Sequence, residues 1–322
     1  MRAVDGLCAA RDWDGMEDLA HACMDAVERG KQLWPITAQI DYRLALEAPG
    51  DHAAEVLESD LGRFLPGPLT EVAASTHTWE EMAPYIESPQ AAAYVAQERV
   101  LRGEVLTGDE RAHQEVVDLP LALEEFEPTY ALATFTAHDA EVAEPWEPKG
   151  TPVPLDAAPV NPVPGAGIIE VLLDIVQPWT NESNGAARAV LVEADAMSAI
   201  ATLTDGIPEP IDLTPLEPEE ALQRIAWAAA SGGAHGRRRG AAFGRFTAWA
   251  VVASLAGRRW PVAAQEMGAA LRSFEWFWWD DRELKEGWVF RLAVQDASAG
   301  WAAAIGATDL LEEELEEGLE EG

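Results

Sequence analysis

The chain has 322 residues, 48% of them hydrophobic, and a formal net charge of −35, which gives it enough apolar content to fill two cores and excludes a disordered polyelectrolyte. The charge is uneven: residues 1–223 carry 11 basic and 42 acidic side chains, residues 224–291 carry 11 and 6, and residues 292–322 carry none and 9. Nucleic acid is therefore not the expected partner of the arginines, because the acid excess repels a polyanion at distances beyond the roughly 8 Å screening length of physiological salt.

The N-terminus shows no basic stretch followed by an apolar run, so no signal peptide is predicted, and two cysteines, Cys8 and Cys23, give no disulfide framework. A cytoplasmic location follows as the expectation. From Asp14 to Gly103 the apolar spacing is helical: Met16, Leu19, Ala20, Cys23 and Val27 share a face, Trp34-Pro35 opens a second helix, and Pro89 opens another through Leu101. Thr129 to Thr136 alternates as a strand. Seven prolines between Pro145 and Pro164 predict an extended surface segment. Ile168 to Val176 and Arg188 to Glu193 read as strands, and Asp195 as the cap of a helix over 196–203. Further helices are predicted at Pro218–Ala230, Arg237–Ala256 and Val262–Arg272. Aromatic alternation over 274–279 and 288–295 predicts a hairpin, and a short helix is predicted after Asp296. The longest apolar stretch, Ala241 to Ala256, contains Arg245 and is shorter than the roughly 20 residues of a spanning helix, so no membrane association is predicted.

The resulting fold class is α+β. An N-terminal helical region, residues 1–120, precedes a mixed domain, 121–309, whose small sheet is covered by helices and which includes the proline-rich segment 145–164. An acidic tail, 310–322, follows.

Residues 224–274 carry eight arginines and a single acid, Glu266. Within them Ser231-Gly232-Gly233-Ala234-His235-Gly236-Arg237-Arg238-Arg239-Gly240 joins two predicted helices. Glycines free backbone N–H groups to face a ligand, a helix start favours an anion, and arginines add paired donors. Gly233, His235, Gly236, Arg237, Arg238 and Arg245 are the candidate anion-binding residues, with Arg238 and Arg245 seven apart on one helical face. The bland alternative is a connection whose arginines pair with internal carboxylates. Gly240, Gly244 and Ala248 read as a helix-packing seam. The segment lacks Gly-Lys-Ser/Thr and Gly-x-Gly-x-x-Gly, and the chain has neither a Gly-x-Ser-x-Gly elbow nor His-Glu-x-x-His, so no catalytic template is identified. Asp18 with His21 and Glu110 with His113 have helical metal-ligand spacing, but such a site needs two further helix-borne carboxylates at matching depth and two chance pairs are unremarkable among 57 acids; neither metal nor cofactor is predicted.

Two functions stand side by side. One is an interaction or regulatory protein whose partner is a basic protein, with an immunity or inhibitor protein against a basic toxin as a concrete form. The other is an enzyme or sensor for a small phosphorylated or carboxylated ligand at residues 231–245. Leu311, Leu315 and Leu319 in the tail suggest a peptide able to dock on the arginines.

Overall fold

The computed structural model describes residues 2–58, 65–142, 147–205, 210–282 and 287–310. About 47% of the chain is helix and 16% strand, which makes it α+β. Two compact units form: Met1–Leu123 with Ala131–Ala143 and Arg237–Ala242, and Glu124–Tyr130 with Glu144–Gly236 and Phe243–Gly322.

The first unit is helical. Its helices are α1 (Arg2–Ala10), α2 (Trp13–Glu28), α3 (Trp34–Glu47), α4 (Gly50–Glu55), α5 (Leu69–Thr76), α6 (Trp79–Met82) and α7 (Pro89–Leu101), and a hairpin of β1 (Ala133–Phe135) and β2 (Ala140–Val142) completes it. Local chemistry sets the helix starts. The Asp12 carboxylate accepts from Gly15 N–H at α2, Thr78 and Glu81 form a reciprocal capping box at α6, and Ser88 accepts from Ala91 N–H at α7, where Pro89 takes a first-turn position that needs no donor. Helices α3 and α7 are buried around most of their surface, so the core gathers on them: Tyr42, Val72, Trp79, Met82, Val95 and Val100 form one cluster, and Val4, Met16, Ile40 and Leu44 another.

The second unit is built on a six-stranded sheet. Its elements are β3 (Val153–Pro154), α8 (Ala166–Asp174), α9 (Gln177–Asn181), β4 (Ala186–Val192), α10 (Ala196–Leu203), β5 (Asp212–Leu216), α11 (Pro218–Ala230), α12 (Ala241–Leu255), α13 (Ala264–Ser273), β6 (Glu275–Asp280), β7 (Gly287–Asp296) and β8 (Trp301–Leu310). The sheet order is β3-β5-β6-β7-β8-β4, antiparallel throughout. On one face α10 packs with Ala199, Ile200 and Leu203 against Val192, Trp279, Ala293 and Ala304. On the other, Arg224 of α11 stacks its guanidinium on Trp278, 4.4 Å from the ring centre. Trp278 and Trp279 are consecutive on one strand and so face opposite sides.

Three predicted elements are corrected. Ile168–Val176 is not a strand: α8 covers most of it, because a short apolar run carries no period that separates strand from buried helix. The segment after Asp296 is not a helix. Asp296 Oδ1 accepts from Ser298 and Ala299 N–H, Gly300 takes φ +74°, and the chain turns back as β8. Alanines that favour a helix in isolation pair here with β7 and β4 on either side, where their small size suits burial from both faces. The helix expected from Arg237 starts at Ala241, after Gly240 at φ +94°. Leu310 closes β8, and the remaining tail with Leu311, Leu315 and Leu319 lies outside the described residues.

Candidate functional site

The glycine-and-arginine segment uses its donors on the chain's own acids. In the second unit Ala234 N–H donates to Asp309 Oδ2 at 2.6 Å, Gly233 N–H to Ser231 Oγ at 3.0 Å and His235 N–H to Ser183 Oγ at 3.0 Å. Gly233, at φ +75°, lies so close to Asp309 and Trp179 that a side chain there has no room, and Gly236 is equally tight against the Gly232 carbonyl. In the first unit Arg238 precedes the helix and grips Glu71 bidentately, Nε to Oε2 at 2.8 Å and Nη2 to Oε1 at 2.7 Å. The first N–H groups of α12 are taken as well: Ala241 donates to Glu71 at 3.2 Å and Ala242 to Glu98 at 2.7 Å. The helix start does attract negative charge, and the charge comes from within the fold.

Arg245 sits on α12 in the second unit with no exposed side-chain surface. It binds Glu127 through Nε at 2.8 Å and Nη2 at 2.6 Å, and Trp249 Nε1 and Tyr130 Oη donate to the same carboxylate at 3.0 and 2.7 Å. The shared helical face expected for Arg238 and Arg245 does not form, since only Arg245 is helical. Arg237 and Arg239 also have interaction partners. Gly244 is the seam residue: a side chain on it would run into the Ala226 carbonyl and lie 3.0 Å from the Ala230 methyl, so α11 and α12 pack at close range.

Two wide openings lie in the helical unit. A groove of about 760 Å³ is bordered by Trp13, Leu46, Glu47, Asp51, Glu80 and Glu81. A second, of about 610 Å³, is bordered by Leu57, Ile86, Asp51, Glu55, Glu58 and Glu87. Pro84 and Tyr85 border both, and Tyr85 is 52% exposed, a large ring standing between the two. Among the described residues seven carboxylates therefore line the pair, against the guanidinium of Arg11 and the His77 ring. Glu47 is held by Arg43 at 2.6 Å and Glu80 by Arg111 at 3.1 Å, while Asp51, Glu55 and Glu87 have no ion-pair partner among the described residues. Hydrogen bonds from the Thr78 backbone and hydroxyl lower the Glu81 pKa and keep it charged. His77 is not a free ligand, since its ring nitrogens lie 2.7 Å from Ala48 O and 3.0 Å from Ala73 O.

The sequence reading missed this site residue by residue. Its signal was the run Pro84-Tyr85-Ile86-Glu87-Ser88-Pro89, an aromatic and an aliphatic residue fixed between prolines in the acidic third of the chain. Of the two helical metal-spaced pairs, His113 stands in a left-handed conformation and bonds Glu115 at 3.1 Å. A different group, Asp14, Glu17 and His52, brings ligand atoms within 4.8 Å of one another. No helix among the described residues is long and apolar enough to cross a membrane.

No curated protein and no solved structure matches the chain. A family model does match, over residues 1–309, and by that extent the chain belongs to the family of unknown function DUF6183.

Proposed function

We propose that this protein is an interaction module that receives a cationic segment of a partner protein in the acidic grooves beside Tyr85. The observation that carries this reading is the pairing of an exposed aromatic ridge with seven lining carboxylates, four of which, Asp51, Glu55, Glu58 and Glu87, have no ion-pair partner among the described residues. Such a surface supplies both parts of a recognition site: an aromatic anchor for apolar contact and unscreened charge for steering and register. A regulatory or inhibitory protein bound to a basic enzyme is one form the reading takes. Two free cysteines, Cys8 and Cys23, fit a reducing cytoplasm.

The test uses cationic peptides of mixed sequence, with octa-arginine as reference, titrated calorimetrically. Asp51→Lys, Glu55→Lys and Glu87→Lys together are expected to abolish binding, and Tyr85→Ala to weaken it severalfold. A control triple at exposed acids away from the grooves, Asp25→Lys, Glu28→Lys and Glu115→Lys, changes net charge equally. If both triples lose binding alike, the grooves have no special role and only the global charge acts.

A further inference from the structure

The second unit contains a small opening of different chemistry. The sheet register sets five positions in one row: Trp279 pairs with Leu213, Arg291 with Gly306, and Gly306 with Arg188. The antiparallel register of β6 and β7, which pairs Phe277 with Ala293, puts Trp279 next to Arg291. All face the side on which α10 lies, and Leu203, the last residue of α10, borders the opening beside them. The result is a cavity of about 210 Å³.

Each residue of the row has a distinct state. Trp279 is buried, its ring nitrogen donating to the Ile305 carbonyl at 3.0 Å. Arg291 is buried beside it, its guanidinium 5.0 Å from the ring centre, and is bound to Asp280 and, at 2.7 Å, to Asp281. Its charge is spent within the fold. Gly306 lies directly under the indole: an added Cβ would stand 2.7 Å from Trp279 Cζ2, so only glycine lets the ring edge settle on the strand there. Arg188 lies across from it, exposed and without an ion pair among the described residues.

We propose that this cavity binds a small aromatic carboxylate, its ring against the edge of the Trp279 indole and its carboxylate on Arg188. The size suits one ring with a short arm, since a cavity of about 150 Å³ already holds benzene. Leu203, Ala186 and Ala307 supply apolar walls, and Thr204 and Thr308 supply hydroxyls. A planar ring gains from edge contact with an indole, and a carboxylate gains charge-assisted hydrogen bonds from the Arg188 guanidinium, which has no ion pair among the described residues.

Benzoate is the probe, with benzyl alcohol and benzylamine as neutral and cationic controls, titrated into the full-length isotope-labelled protein by NMR. Saturable benzoate binding is expected, with shifts at the Trp279 indole N–H and the Gly306 amide, and benzylamine is expected not to bind. Arg188→Gln, a change at an exposed position, is expected to weaken benzoate roughly tenfold and leave benzyl alcohol unchanged. Gly306→Val is expected to remove both. The proposal falls if benzoate does not saturate by about 10 mM, the millimolar limit of specific weak binding. It falls equally if benzylamine binds as well as benzoate, or if Arg188→Gln leaves benzoate affinity unchanged.

Discussion

The two units treat their acids differently. In the sheet unit two buried carboxylates are matched by cations: Glu127 meets Arg245, with Trp249 and Tyr130 also donating, and Asp281 meets Arg291. In the helical unit two buried carboxylates, Glu71 and Glu98, share Arg238, Arg102 and the N–H groups of Ala241 and Ala242, and the grooves hold further acids with no ion pair among the described residues. The pKa directions record the contrast. Burial raises that of Glu127, but the hydrogen bonds and charge of Arg245 outweigh it and the net direction is down. For Glu98 burial acts first and the Glu71 charge adds to it, so the net direction is up despite Arg102. One unit neutralises negative charge and the other stores it.

The strongest way to break that contrast is to remove a cation from the neutralised site. Arg245→Met leaves Glu127 charged in a dry core with its best donors gone, and a loss of about 3–5 kcal/mol is expected in urea unfolding. Adding Glu127→Leu to Arg245→Met is expected to recover much of that loss, because the cost comes from the uncompensated charge more than from the missing attraction. A double variant as unstable as the single would show that packing around α12, and not charge, sets the effect.

Next in size is the pH response, where the two glutamates work in opposite senses. Glu127, with its folded pKa lowered, contributes stability that is present above the ordinary value of 4.5 and lost as pH falls through the lowered value. Glu98, with its folded pKa raised, contributes stability that is full below 4.5 and lost as pH rises through the raised value. Glu127→Gln is therefore expected to reduce the acid-side slope of stability, and Glu98→Gln to reduce the decline on the way up from pH 4.5. Unfolding midpoints measured from pH 3 to pH 8 separate them. Parallel curves for the two variants would end the distinction between matched and stored charge.

Local signals were legible in the sequence and distant partners were not. Trp34-Pro35, Ser88-Pro89, Asp195 and Pro218 mark helix starts because a cap or a first-turn proline acts within three or four residues. The hairpin of β6 and β7 was legible from aromatic alternation. Strand β8 was not, since Ala carries helix propensity and only its neighbours on both sides make it a strand. The attraction of anions to a helix start was also legible, but its occupants stand 170 residues from Ala241 and 144 from Ala242 along the chain. With 57 acids to choose from, no rule of spacing selects Glu71 for Arg238 or Glu127 for Arg245. The grooves escaped notice for a similar reason, as they join residues of α3, α4 and α6 and the loop after α6 that are near only in the fold.

The smallest expected effect sharpens the picture of the charged unit. His52 on α4 stands 2.5 Å from Glu17, and the hydrogen bond to Glu17 outweighs burial, with the charges of Glu17, Asp51 and Asp14 adding, so its pKa is raised. The pairing contributes stability that is full below the ordinary value of 6.5 and lost as pH rises through the raised value. As a partly exposed pair its worth is about 0–1 kcal/mol. Its neighbour Asp51 borders both grooves, so loss of the imidazolium charge makes that rim more negative. Octa-arginine is therefore expected to bind more tightly at pH 8 than at pH 6, by no more than about fivefold. The variant His52→Asn is expected to bind with little change between the two pH values. A wild-type affinity that falls on going from pH 6 to pH 8, or a change that persists in His52→Asn, would separate His52 from the grooves and leave its contact with Glu17 a matter of helix packing alone.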